Sequence, residues 1–280
     1  MKIWITAFYV ALGLCVGNAS SIANAQPRLI PDAAPQCVFS GQSRNIAFVW
    51  RNPGDAIVGA EIRARIFQTS SATAVWLSEN PWKQLLVPAG ETVLDSAALD
   101  FPDVKAKTKF LVQWLADTNV LGVTPVLVYP TNLLAELKPL AGDEGLGVFD
   151  PQNQLKLLLK NLNVKFENLE NSDLENFSGK LAIIGPFQSK AQMRDGLPNQ
   201  IKALAKKDVA IVWLQPQQTR DDKLRPSFYS VLEHTNAVVI VQPELVSNLP
   251  DNPQSQINLI YFCKLALNPQ PPVLPDLSPP

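Results

Sequence analysis

Two carboxylates stand where apolar runs of this sequence end beside prolines. Asp150 closes Gly147-Val-Phe-Asp-Pro151, and Glu244 follows Ala237-Val-Val-Ile-Val-Gln-Pro243. A pair of carboxyl groups at the right separation hydrolyses glycosides, one as the acid and the other as nucleophile or base. Each residue also has a plainer use. Asp-Pro is an N-cap followed by a proline at the first helical position, and an acid just after Pro243 suits the positive end of a helix.

Nucleophilic catalysis needs a nucleophile, a base and an orienting group within reach of one another. The run Leu181-Ala-Ile-Ile184 leads into Gly185-Pro186-Phe187-Gln188-Ser189, and the residue after Gly185 is a proline with no reactive group. Ser189 follows three residues later, where it can cap a helix. The sole histidine, His234, would have to serve as its base. Its place just before an apolar run suits a helix C-terminus, where the dipole favours a cation. One histidine and no closely spaced cysteines make no zinc constellation, so no metal is expected. The glycines of Gly142-Asp-Glu-Gly145-Leu-Gly147 precede an apolar run, whereas a phosphate-binding turn follows one and opens a helix. No nucleotide or other cofactor is expected.

Amides are what the ends of the apolar runs do supply. Gln188, Gln215, Gln217, Gln242 and Asn248 all fall there. An amide carries both donor and acceptor, which suits uncharged polyhydroxyl ligands, and these five are the ligand-binding candidates. Trp76 and Trp82 flank Glu79-Asn80-Pro81 and offer a stacking platform, while Trp50, Trp114 and Trp213 are expected in the core.

The elements that must position these groups divide into two rhythms. Over residues 37–130 the apolar period is two: Ile46, Phe48 and Trp50, then Ile62, Ala64 and Ile66, then Phe110, Val112 and Trp114. Turn signals such as Asn52-Pro53-Gly54-Asp55 and Pro88-Ala89-Gly90 separate the runs. This predicts an all-β, Ig-like antiparallel sandwich, though without the paired core cysteines of true Ig domains. Residues 131–144 read as a linker with a short helix that Pro139 stops.

From Gly145 to Leu267 short apolar strands alternate with helices. Strands are expected at 146–149, 164–166, 181–184, 209–214 and 237–241. Helices are expected at 154–162, 192–207, 228–233 and 255–267. Alternation of this kind predicts a three-layer α/β domain, flavodoxin-like, around a mainly parallel five-stranded sheet. Catalytic and ligand groups of such sheets lie outside the carboxyl ends of the strands, which is where the prolines and amides recur. The tail, 268–280, holds six prolines in thirteen residues and is expected to be disordered or extended.

Residues 1–25 read as a secretory signal: Lys2, the apolar stretch Ile3 to Val16, and the small-x-small site Ala23-Asn24-Ala25. Residues 26–36 are an irregular lead-in. Cleavage leaves 23 basic and 25 acidic residues, a net charge of −2. Without a basic block there is no electrostatic case for nucleic acid, and no later stretch is long and apolar enough to span a membrane. An exported protein, periplasmic or extracellular, is expected. Its two remaining cysteines, Cys37 and Cys263, fall in different predicted domains, where two buried thiols are expected before a bridge.

Residues 145–267 also resemble the class I glutamine amidotransferase-like group of flavodoxin-like domains. The likeness is to the degenerate, non-catalytic versions attached to secreted or sugar-processing bacterial enzymes. It is carried by the strand rhythm, by Gly179-Lys-Leu-Ala-Ile-Ile-Gly-Pro186 at the place of the elbow strand, and by Lys202-Ala-Leu-Ala-Lys-Lys-Asp-Val-Ala-Ile-Val-Trp213. Active members of the group carry a cysteine at the elbow and a histidine with a carboxylate after a late strand. Here the elbow is Gly185-Pro186, His234 precedes a strand, and Cys263 lies in the last predicted helix, so the resemblance implies that the activity is missing. The expectation is an exported non-catalytic binding or scaffolding protein, associated with carbohydrate or with a carbohydrate-processing or other envelope partner. Its rival is a secreted glycoside-type hydrolase using Asp150 and Glu244.

Overall fold

The computed structural model describes residues 28–30, 35–41, 43–116, 118–171, 173–187, 189–216, 228–233 and 236–269. Gln188, Gln217, His234, the signal, most of the lead-in and nearly all of the tail lie outside them.

The first half forms two sheets. One has three strands in the order β1 (Arg28–Ile30), β3 (Ser43–Arg51), β6 (Thr92–Asp100). The other has five, in the order β2 (Gln36–Phe39), β8 (Asn119–Tyr129), β7 (Thr108–Ala116), β4 (Val58–Thr69), β5 (Ala74–Val87). Successive side chains of a strand point to opposite faces. The period-two residues of β3, β4 and β7 therefore meet in one core, with Ile46, Phe48 and Trp50 packed with Ile62, Ile66, Phe110, Val112 and Trp114. Phe48 and Trp114 stack with ring centroids 4.4 Å apart, and Trp114 Nε1 donates to Thr124 Oγ1 at 2.9 Å. The outward positions of β4 carry Arg63 and Arg65, which clasp Glu79 of β5 at 2.8 and 2.7 Å.

The expected all-β, Ig-like antiparallel sandwich does not hold. β2 enters parallel to β8, so the larger sheet is mixed. The expected turn at Glu79-Asn80-Pro81 lies inside the fourteen-residue β5. β5 is the outer strand of its sheet, and an edge tolerates a proline because one side of it has no ladder to donate to. The β4–β5 register shifts beside this point, between Ile62 and Arg63. The Asn52-Pro53-Gly54-Asp55 turn does form. Buried Asn52 ties it to the end of β5, its Nδ2 donating to Val87 O and Pro88 O at 3.0 and 3.1 Å.

A 3-10 turn (Leu133–Glu136) runs into α1 (Leu137–Ala141), which passes through Pro139 instead of stopping there. Pro139 is the third residue of this helix, within the first turn, where no intrahelical N–H bond is lost. The second half then builds one six-stranded sheet. In chain order its elements are β9 (Leu146–Phe149), α2 (Gln154–Asn161), β10 (Glu167–Asn168), β11 (Leu181–Ile184), α3 (Leu197–Ala205), β12 (Ala210–Leu214), β13 (Phe228–Glu233), β14 (Asn236–Val241) and α4 (Pro253–Leu267). The spatial order is β10-β9-β11-β12-β14-β13. Every neighbouring pair is parallel except β13 with β14.

The flavodoxin-like, mainly parallel five-stranded expectation is corrected here as well. The sheet is mixed, and the helix expected at 228–233 is an antiparallel edge strand. Phe228-Tyr-Ser-Val-Leu-Glu233 is rich in strand formers, and two residues separate it from β14, a hairpin length. The expected strand at 164–166 is displaced to Glu167–Asn168, and α3 begins at Leu197, not near 192.

The four apolar runs β9, β11, β12 and β14 are buried on both faces because cores lie on both sides. Val148, Ile183, Val212 and Val239 join Leu155, Leu159, Leu259 and Cys263 of α2 and α4. Phe149, Ile184, Ile211 and Ile240 join Leu197, Ile201 and Leu204 of α3. A Cβ on Gly147 in β9 would stand 2.8 Å from Leu169 Cδ1 and from Phe177 Cζ, so a larger residue would have to displace those side chains. α4 starts from Asn252, whose side chain accepts from Gln254 N and Ser255 N at 3.0 and 3.4 Å, with Pro253 at its first position.

Candidate functional site

The carboxyl ends of β9, β11, β12 and β14 share one edge of the sheet, and each strand is followed by a polar residue or glycine and then proline. The strand order reverses between β9 and β11, which makes their ends the crevice where ligands of open α/β sheets are held.

Asp150 lies in that crevice, fully buried. Its carboxylate is already engaged: Oδ1 accepts from Gln152 N at 3.2 Å and Oδ2 from Lys156 N at 3.0 Å. Lys156 is the third residue of α2, so Asp150 caps this helix from across a loop, while Asn153 holds the adjoining cap position at φ 57°. The Asp150 N–H donates to Glu170 Oε1, and Glu170 Oε2 receives Lys156 Nζ at 2.7 Å. Lys156 is only 4% exposed. A buried lysine requires a paired carboxylate, and Glu170 supplies it to Lys156. Sequence reasoning missed both Glu170 and Lys156. Lys156 stands beside the apolar stripe of α2, and Glu170 lies in the loop after β10, with nothing in their spacing that pairs them.

Glu244 lies elsewhere on the edge. It is exposed, within a 3-10 turn (Pro243–Val246) after β14. β11 and β12 stand between β9 and β14, and three strand intervals of about 4.8 Å separate the two strand ends by roughly 14 Å. Glycosidase carboxyls are roughly 5–10 Å apart. The structure does not bring Asp150 and Glu244 together.

At the elbow, Gly185 (φ 105°) and Pro186 are joined by a cis peptide, and Gly185 N donates to Phe149 O at 2.7 Å. A Cβ on Gly185 would stand 2.8 Å from Leu214 O, which excludes a larger residue without displacement of backbone. Ser189 starts a short 3-10 turn (Lys190–Gln192) and its side chain makes no capping bond.

The amide candidates separate. Gln215 is buried at 8% exposure at the end of β12, where its N–H donates to Val241 O at 2.9 Å. Gln242 is half-buried and precedes the Pro243–Val246 turn. Asn248 is exposed, with φ 52°, and its carbonyl accepts from Asp251 N and Asn252 N, a turn role. Gln188 and Gln217 fall outside the described residues. Gln152 and Gln192, not singled out from sequence, meet on this edge, Gln152 Nε2 donating to Gln192 Oε1 at 2.6 Å.

On the α3 side of the edge a cleft of about 370 Å³ opens between the loop after β11 and the end of β12. Lys190, Arg194, Asp195, Trp213 and Gln215 line it. Arg194 Nε donates to Gln200 Oε1 at 3.0 Å and its guanidinium lies 5.2 Å from the Phe149 ring centroid. Trp213 is partly buried against the α3-side core, in keeping with the expected packing role, whereas Trp50 and Trp114 are wholly buried and Trp76 is 61% exposed on β5. The two cysteines are both free, Cys37 half-buried in β2 and Cys263 buried in α4. Burial pushes both thiols up, with Lys107 and a hydrogen bond to Tyr129 working against the shift at Cys37.

On this edge Asp150 is tied to backbone amides of its own loop and helix, while Glu244 is exposed. No family model and no curated protein matches the sequence. Among solved structures, the alkylpurine DNA glycosylase AlkC of Pseudomonas fluorescens aligns at 15% identity and a TM-score of 0.30, over 38% of this chain and 31% of its own. A β-glucosidase of Listeria innocua aligns at 14% and 0.29, over 37% of this chain and 16% of its own. The CsuC–CsuE chaperone–tip adhesion subunit complex of Acinetobacter baumannii aligns at 14% and 0.27, over 50% and 68%. All three TM-scores fall below one half.

Proposed function

We propose that the chain is an exported, non-catalytic binding or scaffolding protein that presents the carboxyl edge of its second sheet to a carbohydrate or to a carbohydrate-processing partner. The observation that carries this reading is the engagement of Asp150. A buried carboxylate that accepts two backbone amides and caps α2 is held as a structural acceptor. Glu244, about three strand intervals away, is too remote to complete a glycosidase pair, and the elbow holds glycine and proline. The edge also carries amides with a neighbouring tryptophan, a set that orients hydroxyls and offers an aromatic face.

A glycan array and a pull-down from an envelope fraction, run beside a hydrolysis assay on chromogenic glycosides, test the reading. Glycan or partner capture without turnover is the expected result. Turnover that disappears in Glu244→Gln, with no capture, would overturn it in favour of the hydrolase.

A further inference from the structure

A second cleft, of about 700 Å³, opens where the two halves of the molecule meet. Its walls come from the loop between β6 and β7, from the 3-10 turn that leads into α1, and from α4. The loop brings Lys105 and Lys107, both exposed, and among the described residues neither forms an ion pair. Lys107 Nζ stands 5.8 Å from the centroid of the Tyr129 ring, which lines the same cleft. A cation is attracted to a ring face, so this ammonium is drawn to the cleft wall. The one carboxylate of the lining, Glu136, already receives Lys264 Nζ at 3.0 Å. Two positive charges of the lining are thus left without a counter-charge. Beside them the surface is apolar, with Leu133 and Ile257 half-buried and Pro139 exposed. A single amide, Asn132, stands in the lining, a poor provision for a polyhydroxyl ligand.

We infer that this cleft binds a small amphipathic anion, an aliphatic body with one carboxylate or phosphate end. Its size falls within the roughly 300–1,000 Å³ of small-molecule sites, which favour the junction of two folded units. The aliphatic body covers Leu133, Pro139 and Ile257 and removes their apolar surface from water. The charged end reaches Lys105 and Lys107, and charge-assisted bonds are roughly twice as strong as neutral ones. A lysine ammonium is a compact point charge without the fork of a guanidinium, so carboxylate and phosphate both suit it. A neutral alcohol leaves the cations unpaired, and a short anion leaves the apolar wall wet. The pairing of the two demands defines the ligand class. No amide candidate of the carboxyl edge lines this cleft, so it is a separate site that stands or falls independently of that edge.

The test is calorimetric titration of the full chain with octanoate, octanol, butyrate and octyl phosphate, each below its micelle-forming concentration. Octanoate should bind about tenfold or more tightly than butyrate, because four methylenes leave water. It should also bind about tenfold more tightly than octanol, the gain expected for bonds to charged groups. Both comparisons use the unaltered protein, so they read the site whatever a variant does to folding. Lys105→Gln combined with Lys107→Gln should weaken octanoate by about tenfold and leave octanol unchanged. Lys109 is exposed and outside the lining, so Lys109→Gln removes the same charge as Lys107→Gln but should cost less than about twofold. Octyl phosphate above octanoate identifies a phosphate end; the reverse order identifies a carboxylate. Octanoate that fails to bind, or binds no better than butyrate or than octanol, overturns the inference. So does an equal loss in Lys107→Gln and Lys109→Gln, which would mean diffuse attraction to a basic surface.

Discussion

The two halves of the molecule solve burial in opposite ways. In the β half, each strand contributes one face to a single core, and its charges go to the other face, as Arg63, Arg65 and Glu79 do. In the α/β half the four central strands are buried on both faces, and polar residues stand where those strands end. Polar chemistry is therefore spread over outer faces in the first half and concentrated on one edge in the second. The comparison teaches that a charge carries different weight by place. Glu79 sits at a partly exposed rim, while Asp150 and Lys156 sit inside the fold.

The largest effect should come from the β core. Trp114→Ala empties the centre of that core and strips the buried Thr124 hydroxyl of its donor; chemical denaturation should show a loss of about 3–5 kcal/mol. Next is Asp150→Ala, which leaves the amides of Gln152 and Lys156 without their acceptor. A loss of about 2–4 kcal/mol is expected in the same assay. A value near zero would free Asp150 for chemistry and remove the contrast between the two halves.

A smaller effect should appear with pH. Cys263 is wholly buried and its thiol is raised above its ordinary 9.0. Above that pH the unfolded chain gives up the proton while the native chain keeps it. The unfolded state then binds fewer protons, and stability falls as pH rises past 9, by about 1.4 kcal/mol per pH unit for this group. Denaturation at about pH 8 and pH 10 should show Cys263→Ala with the flatter dependence, whatever its baseline loss. Smallest of all is Glu79→Ala on the outer face of the β half. Its two arginine partners are about one-third exposed, so solvent screening holds the expected loss to about 1 kcal/mol or less by thermal melting. A loss as large as that of Asp150→Ala would erase the distinction between rim and edge.

Much of the second half was legible in the sequence because a strand buried on both faces must be continuously apolar, and Leu146–Phe149, Leu181–Ile184, Ala210–Leu214 and Asn236–Val241 are nearly so. Phe228–Glu233 was not legible, since an edge strand with one exposed face lacks that signature and six residues can mimic a helical turn and a half. The same holds for β5, whose proline imitates a turn until its place at the sheet edge is known.

Of the candidate site, the sequence by itself determined the edge: proline after each apolar run, Gly185-Pro186 in place of a nucleophile, and amides where acids or bases would stand. Those are local facts, dictated by what proline and a run of aliphatic residues permit. Only the tertiary structure decided what the acids do. The pairing of Lys156 with Glu170 and the two strands between Asp150 and Glu244 relate residues distant in the chain. Spatial strand order and side-chain burial set these relations, and neither is written in local spacing.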